Sequence, residues 1–376
     1  MDDMNMSLSV VVWCILLQLS TVGAFVGPVK SPHNSIVGTQ KLSSVVTELP
    51  DSLDDSAIIA AQACADFADA NGEMGRCRVD FDTTVGDETF TVLKSSTEFM
   101  QKFVSALCYS MIDGLQQRRQ DELMRVAQAR AKLKRLLELD QQLTEGEDDD
   151  EEESEIDEES RKQRDELAEI IKSGGTSGAA PWDGPVARVY FPDEGNAALA
   201  QRDWKLGTDV PACVEFTACG GIVTQDTSRD ELLFFFCPQA SESENVERIL
   251  LQAEEERGTN LKLTVFVNPN LVDMGVTGYG YAGRLLRERL IDRLQQTYYL
   301  RTLAWGALTR KWPDAFSVWQ EDEDAPGGYR LISTLDRLPS NPEVEDIYDL
   351  ENQKGESKEQ GIIGALGEFV DGMMKL

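Results

Sequence analysis

Leu232-Leu233-Phe234-Phe235-Phe236 places five large apolar residues in a row, with Asp230-Glu231 before them and Cys237-Pro238 after. A run this short and this apolar suits a strand covered on both faces. A half-exposed strand would alternate, and a buried helix would need more length. Strand-like runs recur at Val186 to Phe191, Ala212 to Thr217 and Leu261 to Val267, and helical patterns intervene at Asn196 to Trp204 and from about Glu244 to Arg257. Strands alternating with crossover helices build a sheet with helices on both faces. The expected fold class is therefore α/β: a mixed, mostly parallel central sheet flanked by helices, carrying a long helical and acidic insertion. Further along, a helix is expected from Ala282 to about Arg301, and strands Ala315 to Gln320 and Tyr329 to Ser333 read as a closing hairpin around Pro326-Gly327-Gly328. No internal repeat is visible.

Ahead of this region, Ser52 is a plausible N-cap, with Asp54 and Asp55 in the first turn. An apolar face through Ile58, Ile59, Cys64 and Phe67 runs on to Gly72. Cys77 to Phe81 alternates like a short strand, and Thr97 to Leu143 has helical periodicity broken around Asp113-Gly114. Glu145 to Glu159 is almost wholly acidic and reads as a solvated linker, since like charges without apolar content cannot pack. A short helix, Ser160 to Lys172, and the Gly/Ser stretch Ser173 to Gly178 follow. The expected organisation is one α/β domain over 48–345, with 97–180 as helical and acidic insertion and linker. Residues 346–376 form a polar tether and an amphipathic helix, with Ile362, Ile363, Leu366, Phe369, Val370, Met373 and Met374 at helical spacing. That helix suits docking to a protein groove or a neutral lipid surface, or packing back on its own domain.

The N-terminal 47 residues read as an address. Leu8 to Leu19 has the length of a signal-peptide apolar region and is too short to span a bilayer. The junction Ala24-Phe25-Val26-Gly27-Pro28 resembles the cleavage motif of diatom-type bipartite plastid presequences. A signal peptide at 1–24 and a transit peptide at 25–47 are expected, delivering the chain to the plastid stroma. Asp2 and Asp3 depart from the usual positive start, so ordinary secretion stays open as the rival reading, and it would make the six remaining cysteines candidate disulfides.

Composition narrows the chemistry. Lys plus Arg number 36 against 67 Asp plus Glu, a formal charge of -31 that repels nucleic acid and anionic lipid. The single histidine, His33, falls in the presequence, so histidine-based triads and metal sites are not expected in the working protein. Cys64, Cys77, Cys108, Cys213, Cys219 and Cys237 show no zinc-type spacing and read as buried thiols. No cofactor and no metal are expected.

Several constellations are candidate sites. Gly278, Gly280 and Gly283 form a G-x-G-x-x-G string between a strand and a helix, though Asn268-Pro269 and a long gap separate it from its strand. Arg284, Arg287, Arg289 and Arg293 follow it, where they would receive an anion or pair with Glu288 and Asp292. Asp193 and Glu194 open a helix after a strand, suited to capping or to a magnesium ion. Trp305, Trp312, Phe316 and Trp319 concentrate aromatic area that serves either the core or a partner.

Val189 to Ala200 with Asp203-Trp204, then Val267-Asn268-Pro269, a helix through Tyr298-Tyr299-Leu300, and Lys311 to Trp319 together resemble the plastid and cyanobacterial domain-of-unknown-function family nineteen-ninety-five. Trp312 stands where that family usually has Tyr, and the acidic insertion is unusual. One family member is the third type of plant low photosystem II accumulation protein. The resemblance implies a non-catalytic stromal factor that assists photosystem II or another thylakoid complex through protein contacts, with peripheral membrane contact left open. It brings no catalytic motif. The alternative is a nucleotide- or phosphometabolite-binding enzyme using residues 275–283 and the arginines that follow.

Overall fold

The alanine spacing of the first helix decides how the front of the molecule packs. In the computed structural model, which describes residues 49–50, 52–72, 74–81, 89–144, 154–220, 226–272 and 280–353, helix α1 (Leu53–Asn71) buries Ala57, Ala60, Ala61, Cys64 and Ala68. Short side chains let a second helix come close, and α2 (Thr89–Met111) packs against it with Phe99, Met100, Phe103, Val104 and Leu107 fully buried. Ser52 caps α1 by accepting the Asp55 N–H at 3.1 Å, and Gly72 ends it at φ 73°.

Beneath these helices lies a nine-stranded sheet in the order β3-β2-β4-β5-β1-β6-β7-β8-β9. Its strands are β1 (Gly75–Phe81), β2 (Val186–Phe191), β3 (Val214–Ala218), β4 (Asp230–Phe236), β5 (Leu263–Val267), β6 (Gln295–Leu303), β7 (Gly306–Lys311), β8 (Phe316–Glu321) and β9 (Tyr329–Leu335). Pairings from β3 across to β6 are parallel, and β6 to β9 form an antiparallel meander. The α/β reading with a mostly parallel sheet therefore holds. Helix α5 (Glu194–Asp203) connects β2 to β3, α6 (Ser243–Arg257) connects β4 to β5, and α7 (Gly280–Leu286) precedes β6.

The apolar run of β4 explains both layers. Leu232 and Phe234 face α1 and α2 with Val79, Val189 and Val265. Leu233 and Phe235 face the opposite side, where Tyr190, Phe235 and Phe266 stack at 4.9 and 4.8 Å beneath Val246, Leu250, Leu286 and Leu290. A third cluster, Leu308, Phe316 and Val318, is closed by Val344 from a last helix, α8 (341–353).

Four expectations are revised. Residues 97–111 are no insertion, because α2 supplies a large share of the main core. What departs from the body is the pair α3 (Leu115–Thr144) and α4 (Ser154–Lys172), and the latter draws the end of the acidic run, 154–159, into a helix. The helix expected from Ala282 to Arg301 stops early: α7 passes into a π-turn at Arg287–Ile291, and Tyr298, Tyr299 and Leu300 belong to strand β6. Residues 346–353 are not tether but the body of α8. The address at 1–47, the tract 145–153 and the tail helix at 362–374 lie outside the described residues.

One buried charge pair holds the outer parallel strands. Arg188 on β2 bonds Asp230 on β4 through both carboxylate oxygens at 2.7 and 2.8 Å, and also reaches Glu215 at 2.9 Å and the Asp226 carbonyl at 2.7 Å. Asp230 is 0% exposed, so removing it leaves a desolvated guanidinium. Asp230→Ala is expected to cost ~3–5 kcal/mol in urea unfolding, and the pair Arg188→Met/Asp230→Leu to recover most of that loss.

Helix α8 begins with Ser340-Asn341-Pro342-Glu343, where the Glu343 carboxylate takes the Ser340 N–H at 2.8 Å and its hydroxyl at 3.0 Å. Arg337 pairs with the same carboxylate, and together these contacts hold its pKa down at about 2. A depressed carboxylate contributes stability that is present above its unfolded value and lost as pH falls through the folded one. We expect α8 to loosen between pH 4.5 and about 2, and Glu343→Gln to flatten that part of the thermal-midpoint profile.

Candidate functional site

Crevices in open parallel sheets form at the carboxyl ends of strands whose connections leave in opposite directions. Here β1 leads away to β2, three places along the sheet, while the chain after β5 passes over β1 to β6 on its other side. The register sets Asp80 of β1 opposite Tyr299 of β6, and Tyr299 opposite Arg310 of β7. These side chains alternate with Val79 and Tyr298, which face the main core. Cys237, just past β4, donates its N–H to the Val267 carbonyl at 2.8 Å, and Asn268, just past β5, donates its own to Val79 at 2.9 Å. A row Cys237, Asn268, Asp80, Tyr299, Arg310 thus crosses five strands.

Two strained turns open this row. Cys237 and Asn268 have φ of 47° and 43°, and each precedes a proline. Side chains other than glycine, asparagine and aspartate enter this region at a cost, so the surroundings must enforce it. The turns brace each other through the Asn270 N–H to the Pro238 carbonyl at 2.9 Å and the Asn270 amide to Gln239 at 3.2 Å. The Asn268 amide extends the sheet: its oxygen accepts the Phe81 N–H at 2.8 Å and its nitrogen donates to the Phe81 carbonyl at 3.1 Å. Asn268→Gly, which keeps the backbone freedom, should destabilise less than Asn268→Ala. Both should speed hydrogen exchange at the Phe81 amide, with a cost of about 1–3 kcal/mol for Ala.

Charge along the row is uneven. Arg78 closes on both oxygens of Asp80 at 2.8 and 2.9 Å. Burial, with Asp80 beside it, pushes the Cys237 thiol up to about 12, and burial does the same to Cys219. Neither thiol is a thiolate at neutral pH, so neither is an activated nucleophile. The Arg310 guanidinium lies 4.8 Å over the Phe316 ring, and Phe316 meets Tyr299 edge-on at 5.8 Å.

The residues singled out in the sequence fall in different places. Asp193 caps α5, accepting the Asn196 N–H at 2.9 Å and its side-chain amide at 2.7 Å, while Glu194 is exposed in the first turn. Gly280 starts α7 at φ 87°, Gly283 is buried within it, and Gly278 is outside the described residues. Arg284 is exposed, Arg287 pairs with Asp292 at 3.6 Å, and Arg289 reaches Glu247 on α6 at 2.5 Å rather than Glu288. Trp312 is half-buried, edge-on to Phe67 at 5.7 Å; Trp319 is buried and donates to Thr309 at 2.9 Å. Trp305 stacks on Tyr348 of α8 at 4.2 Å. The docking residues Ile362, Ile363, Leu366, Phe369 and Met373 are outside the described residues. Of all these, Asn268 alone falls in the row; Asp80, Cys237, Tyr299 and Arg310 carry no local motif beyond the Cys-Pro and Asn-Pro dipeptides.

Among the described residues all six cysteines are free thiols, Cys64 and Cys77 touching at 3.8 Å, and no three His, Cys, Asp or Glu side chains lie close enough to share a metal ion. None of the described helices is long and apolar enough to cross a membrane.

The second feature is the antiparallel arm of α3 and α4. Its root is fixed by Leu115 in the main core and by Arg125, which donates to the carbonyls of Gly175 at 2.8 Å and Ser177 at 2.6 Å. Gly175 has φ 92°, and a Cβ there would meet the Glu122 carbonyl at 2.3 Å, so the root accepts only glycine. Farther out, Lys132, Arg135, Leu136 and Leu139 face Gln163, Glu166, Leu167 and Ile170 across a groove of about 410 Å³. Met124 is 59% and Leu139 49% exposed.

Sheet order, carboxyl-edge row and helical arm define an open-sheet α/β protein with an appended two-helix projection. The profile described as "Domain of unknown function (DUF1995)" matches residues 50–346, and the chain belongs to that family. No curated protein matches it, and no solved structure does.

Proposed function

We propose that this protein is a non-catalytic docking factor of the plastid stroma that helps assemble photosystem II or another thylakoid complex. The α3–α4 arm is the observation that carries this reading. A helix of 30 residues is about 45 Å long, and among the described elements α4 is the one it packs on most. Half-exposed leucines flanked by Lys132 and Arg135 are the composition of a helix-binding surface with an acidic partner face. The presequence-like N-terminus, the acidic tract and the apolar spacing of the tail support the same reading, and the net charge of -31 disfavours nucleic acid.

Affinity purification from plastids tests it. The full chain should recover thylakoid assembly proteins, and a variant with 131–168 replaced by a short Gly-Ser turn should lose them while its unfolding free energy stays within about 0.5 kcal/mol of the parent. Recovery of no thylakoid subunit by the full chain would overturn the proposal. Saturable binding of a nucleotide or sugar phosphate that Arg284→Ala weakens would favour the enzymatic alternative.

A further inference from the structure

In a chain with 67 acidic and 36 basic residues, Arg310 is held among the described residues with no carboxylate at ion-pair distance. Its neighbours on the same face of the sheet are taken: Arg78 by Asp80, and Arg301 by the Asn341 side chain at 2.6 Å. The Arg310 Nε is buried and has no acceptor. A buried donor left without a partner is destabilising, and such groups mark places where something else supplies the acceptor. Burial also lowers the pKa of the guanidinium from its ordinary value, with no neighbouring charge opposing the shift.

The surroundings give the missing group a shape. Phe316 lies under the guanidinium and Tyr299 stands edge-on to Phe316. Val344 and Ile347 of α8 belong to the same apolar cluster as Phe316 and Leu308. We infer that Arg310 is the anion-binding centre of an aromatic-flanked site that receives a carboxylate joined to an apolar or aromatic body. A guanidinium offers parallel N–H groups that match a carboxylate's two oxygens. One positive charge balances one negative charge. A phosphate dianion would meet the field of the acidic chain, with Asp80 two strands away at roughly 10 Å. The carboxylate can come from a free small molecule or from the end of a polypeptide. The Arg310 site is on different elements from the arm and does not rest on the docking reading.

Nitrogen-15 spectra of the arginine Nε–Hε groups of the full chain read the site directly, with the Arg310 signal assigned by its loss in Arg310→Lys. The probes are phenylacetate, a tetrapeptide ending in Phe with free or amidated C-terminus, and inorganic phosphate. Phenylacetate should shift the Arg310 signal saturably, and Arg310→Gln should weaken its binding roughly ten- to hundredfold. Binding of the free-ended but not the amidated peptide assigns the carboxylate to a polypeptide, and phenylacetate binding alone assigns it to a small molecule. The inference is overturned if no carboxylate gives a saturable shift, if phosphate binds more tightly than phenylacetate, or if Arg310→Gln binds phenylacetate as well as the parent. Should Arg310→Gln fail to fold, Arg310→Lys, which keeps charge and stem, takes its place in the affinity comparison.

Discussion

Everything in this fold depends on β1 entering between β5 and β6. A strand from the first part of the chain, Gly75–Phe81, is paired on both sides by segments much farther along. Without it the parallel half and the antiparallel meander would be two sheets with open edges. Its core-facing residues, Cys77, Val79 and Phe81, give α1 and α2 their floor, and Phe81 stacks on Phe99 at 3.8 Å. Its other face contributes Arg78 and Asp80 to the polar row. The Asn268 side chain continues the β1–β5 ladder one step beyond the strands, which is why a strained backbone is retained there.

Periodicity identified the elements whose burial is simple. The apolar runs of β2, β4 and β5 and the capped start of α1 were legible because a single local signal decides each. Residues 282–301 were misread because Arg, Glu and Gln have no strong period of their own. Thr297-Tyr298-Tyr299, rich in strand-favouring residues, was outweighed by the helical look of what precedes it. Strand β7 is masked similarly by Gly306 and the polar Thr309-Arg310-Lys311. The Ser340-x-x-Glu343 pattern is a helix-start signature for α8 that the polarity of the residues after it obscures.

The row at the carboxyl edge was not legible, for a topological reason. Residues 80, 237, 268 and 299 meet only through parallel pairing of distant strands, and 310 joins them through the β6–β7 hairpin, so no single spacing along the chain encodes the row. The sharpest motif by eye, the glycine string, instead leads into a seven-residue helix and a π-turn whose arginines are exposed or paired on the surface. Local pattern found backbone punctuation, and three-dimensional register found the chemistry.

Charge is unevenly divided along the sequence of the arm. Helix α3 carries seven arginines and lysines against four acids, whereas the tract joining its far end to α4 is nearly all Asp and Glu. In physiological salt the field of an exposed charge fades within about 8 Å, far less than the length of α3. An approaching molecule therefore feels only the charges of the part of α3 nearest to it, and the ionic strength of its surroundings sets how early that first encounter is oriented.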